Sequence, residues 1–225
     1  MEAAAGAGEV ARHGGLWYQQ VQSRRAGPLS FGVRRQGLSS VDSAPNGEMS
    51  ADPVSISVRV LVPADAAEYH AVRRRALQET PPAFGSLPDD QPDVVETARA
   101  LATSEDHHFF GAFHDGRLVG IVRLSHCEAR NEKHRAYLAG LYTLPPFRRR
   151  GCGRALIRAV LDRAASTPGI RRVNLSVVAQ QEVAIRLYRS IGFRIYGTEP
   201  EAFSRDGQFY DEHLMTLELT QPRER

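Results

Sequence analysis

The stretch Leu141-Tyr142-Thr143-Leu144-Pro145-Pro146-Phe147-Arg148-Arg149-Arg150-Gly151-Cys152-Gly153-Arg154 decides how the chain is read. An apolar run ends at two prolines, an arginine cluster follows, and a Gly-x-Gly turn opens onto Gly151–Ser166. There Leu156, Ile157, Val160, Leu161 and Ala164 form a helical stripe. A strand, a tight turn and a long amphipathic helix are expected in that order. The first N–H groups of a helix have no partner inside it, and the positive end of the helix dipole lies behind them. An anion fits there if the backbone can be approached closely, and Gly151 and Gly153 carry no side chain to obstruct it. No Gly-Lys-Ser/Thr follows, which excludes a Walker-type loop. Leu156 stands where a dinucleotide fingerprint needs a third small residue. Taken alone, the turn leaves the anion open, and a helix cap beside a solvated arginine run accounts for it equally well.

Working outward, Ile56, Val58 and Val60 alternate with polar residues as a strand does. Pro63 opens a helix expected to reach Thr80 and to stop at Pro81-Pro82. A loop to Pro92 and a second helix over Asp93–Thr103 come next. His108–Phe113 and Arg117–Ser125 read as strands joined by a tight turn at Asp115-Gly116, and Arg135–Thr143 as the strand leading into the motif. After the long helix, Val173–Val177 alternates again, Ala184–Ile191 follows helical spacing up to Gly192, and Phe193–Tyr196 and Phe209–Leu219 close the pattern as strands. Strands and helices mix without strict alternation, which gives an α/β fold of the mixed, α+β type.

The chain has 225 residues, 42% hydrophobic and 24% charged, enough for one ordinary domain with an appendage. Residues 1–50 are rich in Gly, Ala, Ser, Gln and Arg without sustained apolar periodicity; they are expected to be a disordered tail, leaving 51–225 as the domain. A transit peptide is a weaker reading of that segment, and Met49 as the true start another. The net charge of +3 argues against bulk nucleic-acid binding. No apolar run approaches a membrane span, and no secretory signal opens the chain. Cys127 and Cys152 form no C-x-x-C pair, so neither a disulfide framework nor a zinc site is expected, and the cytoplasm is the default location.

Arg148-x-x-Gly151-x-Gly153, with Leu141-Tyr142-Thr143-x-Pro145 before it, resembles the central motif of the GNAT superfamily of N-acetyltransferases. Further on, Ala184-x-x-Leu187-Tyr188-x-x-x-Gly192-Phe193 is similar to the family's second signature, in the expected order and spacing. The resemblance extends from about Ile56 to Leu219. It implies a central mixed, mostly antiparallel sheet with helices on both faces, splayed at a cofactor slot, and acetyl-CoA as acyl donor. It implies that the backbone of Leu141, Tyr142 and Thr143 pairs with the pantetheine arm, and that the turn from Arg148 through Arg149, Arg150, Gly151, Cys152 and Gly153 to Arg154 holds the pyrophosphate. Gln181 stands where the family usually has Asn, and Tyr188 matches the tyrosine proposed to protonate the departing thiolate.

The implied reaction is direct attack of a neutral primary amine, on a small molecule or a protein, within a ternary complex. No metal is involved, and a homodimer stays open. A catalytically degenerate acyl-CoA-binding regulatory module is the alternative. The residues do not single out a base: His126, Glu128, Glu132 and His134 are loop candidates, and Tyr137 stands where an acid would serve. Cys152 at a helix start invites a thiolate mechanism, but packing is the simpler role. The acceptor is expected against the Pro81–Pro92 loop, with Phe84, Asp89 and Asp90, and against the Thr198–Phe209 segment.

Overall fold

The computed structural model describes residues 55–219 apart from 80–82, 85, 104–106 and 128–130. All of them fall in one unit spanning residues 54–225. The expected tail over 1–50, the Pro81-Pro82 stop and Glu128 therefore lie outside the described residues.

Among the described residues seven strands form: β1 (Ser57–Val60), β2 (His107–His114), β3 (Arg117–His126), β4 (Arg135–Thr143), β5 (Arg172–Val178), β6 (Arg194–Arg205) and β7 (Gln208–Glu218). They form a single sheet in the order β1-β2-β3-β4-β5-β7-β6. Every neighbouring pair is antiparallel except β4 and β5, which run parallel. Four helices fill the connections: α1 (Ala66–Glu79, entered through a 3-10 turn at Pro63–Asp65), α2 (Val94–Thr103), α3 (Cys152–Ser166) and α4 (Glu182–Ile191). The β2–β3 turn has the form the Asp-Gly pair demands, with positive φ at both Asp115 and Gly116 (48° and 74°).

One face of the sheet is covered by α3 and α4. Leu156, Ile157, Val160 and Ala164 of α3 are fully buried against Phe110, Val122, Leu124 and Leu138, while Ile185 and Tyr188 of α4 pack over Val173, Leu175 and Met215. On the opposite face, Val72 and Ala76 of α1 close a second cluster with Phe113, Leu118, Ile121 and Tyr142. The expected mixed sheet with helices on both faces is what forms. Among the described residues no helix is long and apolar enough to cross a membrane.

The last hairpin departs from expectation. The expected short strand ending at Tyr196 is longer: β6 continues to Arg205, and the hairpin-like Thr198–Phe209 segment turns at Asp206-Gly207, both at positive φ (49° and 77°). Two irregularities, between Ile195 and Gly197 and between Glu199 and Phe203, shift the β6 register against β7. Each bulge resets the period of two, so a continuous strand carries no continuous alternation to read.

Candidate active site

The parallel pair β4–β5 is the key to the site. Only Arg135↔Arg172, Ala136↔Val173 and Tyr137↔Asn174 are paired. Past Tyr137 the strands part, although β4 runs on to Thr143 and β5 to Val178. β4 stays bonded to β3 on its other side as far as Thr143↔Gly120, so its β5-facing edge is left open. Between the pairs Ile121↔Tyr142 and Arg123↔Ala139, one residue of β3, Val122, opposes two of β4, which places a bulge at Gly140-Leu141. A bulge bends its strand and sharpens its twist, and this one lies where the fork opens. An extended ligand can pair with an open strand edge as an added strand would.

At the open end of the fork, β4 passes through a 3-10 turn at Pro145–Phe147 into α3. Gly151 precedes the helix with φ 84°, a left-handed conformation that glycine adopts at little cost, and a Cβ placed there would meet no atom within 4 Å. The space above it is open. The first helical bond runs from Ala155 N–H to the Gly151 carbonyl (2.9 Å), so the N–H groups of Cys152, Gly153 and Arg154 precede the ladder and are the helix's orphan donors. Gly153 has a second reason to lack a side chain: a Cβ there would stand 3.2 Å from Leu187 of α4. Arg154 donates to Ser190 Oγ at 2.7 Å, a second tie between the two helices. The two sequence signatures thus meet at the start of α3.

The arginines divide by role. Arg148 folds back: its Nε donates to the Thr143 carbonyl (2.9 Å), its NH2 to Glu79 (3.3 Å), and its guanidinium lies 5.4 Å from the Tyr142 ring centroid. It braces the turn against β4 and α1, and it engages one of the Leu141–Thr143 carbonyls. Arg149 (φ 62°) and Arg150 are exposed and have no ion-pair partner among the described residues, which leaves them at the rim for an anion. Gln181 precedes α4 with no capping bond from its side chain, so its amide is uncommitted.

Tyr142 is buried, and its hydroxyl donates to Glu79, which also receives Arg75. Burial, then the Glu79 carboxylate, pushes the Tyr142 phenol up to about 12. The same bond, with Arg75 second, holds the Glu79 carboxyl below its ordinary range. Only the Tyr142 backbone is thus left to face the slot. Cys152 is fully buried, and burial pushes its thiol up; Thr143 Oγ1 lies 3.6 Å from its sulfur. A buried thiol that resists ionisation packs rather than attacks. Tyr188 is 6% exposed and edge-on to Phe193 at 5.8 Å, and its hydroxyl has no hydrogen-bond partner among the described residues. Burial raises its phenol well above the ordinary tyrosine value, so the proton stays on at neutral pH.

The described base candidates do not reach the fork. His126 pairs with Ala136, before the strands part, and packs on His108 at 5.5 Å. Glu132 is taken by Arg135 (2.6 Å) and the Cys127 thiol (2.9 Å). His134 adjoins the start of β4 and gives its carbonyl to Arg171. Phe84 lies under Arg73 (4.7 Å from guanidinium carbon to ring centroid), and Asp90 accepts the Leu87 N–H. Two features beside the fork were not singled out from the sequence: Arg73 against Gly140, and Glu212 bonded to Ser176. Arg73 sits in a run of three arginines on α1, where nothing in the sequence separates it from its solvated neighbours.

The sequence profile of the acetyltransferase (GNAT) family matches residues 70–193, which spans both signatures and the fork. An uncharacterized N-acetyltransferase of Mycobacterium tuberculosis is 35% identical over 126 residues, 56% of this chain and 71% of its own length. The N-alpha-acetyltransferase RimI of the same organism is 32% identical over 149 residues, 66% of this chain and 85% of its own. A GNAT-family acetyltransferase of Streptococcus pneumoniae superimposes with TM-score 0.67 at 25% identity, covering 73% of this chain and all of that one. YncA of Salmonella typhimurium, solved with acetyl-CoA as its cofactor, shares the fold with TM-score 0.67 at 19% identity, covering 76% of this chain and 98% of its own. With both signatures brought to the mouth of one forked sheet, the chain belongs to the GNAT acetyltransferase family, enzymes whose acetyl donor is acetyl-CoA.

Proposed function

We propose that the enzyme transfers the acetyl group to a primary amine by direct attack within a ternary complex, and that the β4–β5 fork is where the two substrates meet. The observation that supports this most is the divergence of β4 and β5 immediately after Tyr137↔Asn174, with the orphan N–H groups of α3 at its open end. In this reading the pantetheine arm lies along the free edge of Leu141, Tyr142 and Thr143. The pyrophosphate takes the N–H groups of Cys152, Gly153 and Arg154 in the clearance above Gly151. Arg149 and Arg150 assist from the rim, Arg148 holds the turn in shape, and Gln181 offers its amide from the β5 side. These features fit a diphosphate-bearing thioester because each supplies a backbone donor or an unobstructed approach.

The amine attacks as a free base, since an ammonium has no lone pair. Tyr188 then supplies a proton to the departing thiolate. Its raised affinity for that proton keeps the phenol protonated beforehand and makes it a weaker acid than a thiol, so the proton moves only within the transition state as the C–S bond breaks. The buried Cys152 argues for direct attack and against an acyl-enzyme. Relatives act on different acceptors: one match is a spermine/spermidine acetyltransferase of Bacillus subtilis and another acetylates L-amino acids in Escherichia coli. A small amine is accordingly the first acceptor class to try, protein amino groups the second.

Calorimetric titration with acetyl-CoA, followed by a thiol-release assay over an amine panel, tests the proposal. Saturable binding with thiol release that depends on an added amine is expected. Binding without turnover of any amine would leave a regulatory acyl-CoA-binding module, and no binding at millimolar acetyl-CoA would remove both readings.

A further inference from the structure

Arg73 lies against Gly140 on the β4 arm of the fork, and Glu212 is bonded to Ser176 on the β5 arm; neither is used by the residues assigned above. On the β4 arm, Arg73 reaches from α1 to the bulge: its NH1 lies 3.5 Å from where a Cβ on Gly140 would stand. That NH1 is buried and has no hydrogen-bond partner among the described residues, although the side chain as a whole is half-buried. The guanidinium carbon lies 4.7 Å from the centroid of the Phe84 ring. A buried N–H without an acceptor is costly unless a ligand completes it.

Ser176 lies on the β5 arm, with Glu212 behind it on β7. Ser176 is two residues past Asn174. Gly140 is three past Tyr137, but the bulge absorbs one of them, so the two arms are level about 7 Å beyond the fork. Cross-strand partners share a face, which puts Asn174 with Thr216, Ser176 with Leu214, and Val178 with Glu212 and Glu199 on one side. Tyr137 and Asn174 join that face to Ala139 and Arg123, and Ile121 joins it to the side that α1 covers. Ser176 hydrogen-bonds Glu212; burial and the facing Glu199 raise the Glu212 carboxyl above its ordinary range, toward the pKa of a useful base.

Resting on the acetyl-transfer reading above, we propose that the acceptor is an amine carrying its own carboxylate, of the amino-acid type, with Arg73 receiving the carboxylate and Glu212 the amine. A guanidinium presents a planar fork that matches a carboxylate. Glu212 takes one proton from the ammonium, and the freed lone pair forms the C–N bond as the C–S bond breaks. The thiolate leaves with the proton from Tyr188, and the excess proton of the new amide nitrogen replaces it by way of solvent.

The test uses the full chain with acetyl-CoA, the twenty proteinogenic L-amino acids, their α-carboxamides and spermidine, following thiol release. At least one amino acid should be turned over with kcat/KM about 100-fold above its carboxamide, since a site built to bond a polar group rejects the analogue that lacks it. Arg73→Gln should collapse that preference to within about threefold by raising KM for the acid, and Arg73→Lys should restore part of it. Glu212→Gln should lower kcat for acid and carboxamide alike. Acetyl-CoA affinity and the thermal midpoint, measured for each variant, show that the fold and cofactor site persist. A preference that survives Arg73→Gln, equal turnover of carboxamides or spermidine, or no amino acid turned over by a chain that binds acetyl-CoA would each overturn the inference. Failure to bind acetyl-CoA at all would instead sink the functional reading beneath it.

Discussion

The two halves of the sheet are built differently. The β1–β4 half is sandwiched, with α3 under one face and α1 over the other, and its buried clusters are dense with Leu, Ile, Val and Phe. The β5–β7–β6 half packs against α4 on one face, and on the other carries Asn174, Ser176, Glu212 and Thr216. Thr216 Oγ1 donates to Asn174 Oδ1 at 2.8 Å, so this face buries polar side chains as well as Val178. The sandwiched half supplies a rigid edge and a helix start for a ligand read through backbone. The polar face supplies side chains, which is what discrimination among acceptors needs. The proposed division between a donor read through backbone and an acceptor read through side chains rests on that contrast.

The contrast breaks most sharply at Gly151. Gly151→Val fills the clearance above the helix start, so acetyl-CoA affinity should fall about 1,000-fold, some 4 kcal/mol, by calorimetry. Forcing a β-branched residue to φ 84° should cost a further ~1–2 kcal/mol of stability. Next comes Leu156→Ala in the sandwiched half, where a fully buried side chain leaves a cavity; urea denaturation should show a loss of about 3 kcal/mol. Tyr188→Phe removes one hydroxyl that is bonded to no described residue, so kcat should fall about 100-fold while acetyl-CoA affinity and stability hold. Unchanged turnover with an identified acceptor would remove Tyr188 as the acid.

The smallest effect belongs to the brace under β4. Tyr142→Phe cuts the bond to Glu79, worth about 1 kcal/mol at a partly exposed carboxylate. The pH dependence has a definite sign. Because the folded Glu79 pKa is depressed, its contribution is fully present above the ordinary carboxylate pKa and is lost as pH falls through the depressed value. In Tyr142→Phe that acid-side loss should shrink, as followed by denaturation between about pH 5 and pH 2. An unaltered acid limb would show that Arg75, not Tyr142, carries the shift.

Much of the cofactor side was legible because its determinants are local. A proline pair, a Gly-x-Gly and a helical stripe sit within one short run, and helix-start physics needs nothing from elsewhere in the chain. What the turn's arginines do was not legible: Arg148 is recruited by Thr143 next door but also by Glu79, far away in sequence. Gly153 looked like clearance for an anion and proves also to be clearance for Leu187. The β6–β7 hairpin was underestimated because its bulges erase the alternation that marks a strand.

By itself, then, the sequence determined the order of elements, the glycine-bearing helix start and the family, all of which rest on spacing within short segments. Tertiary structure alone decided where β4 leaves β5, which arginine is spent on the scaffold, and that Arg73 reaches Gly140 while Glu212 bonds Ser176. Those facts depend on contacts between residues from α1, β4, β5 and β7 that pairing register brings level, and no local pattern encodes a register between strands so far apart in the chain.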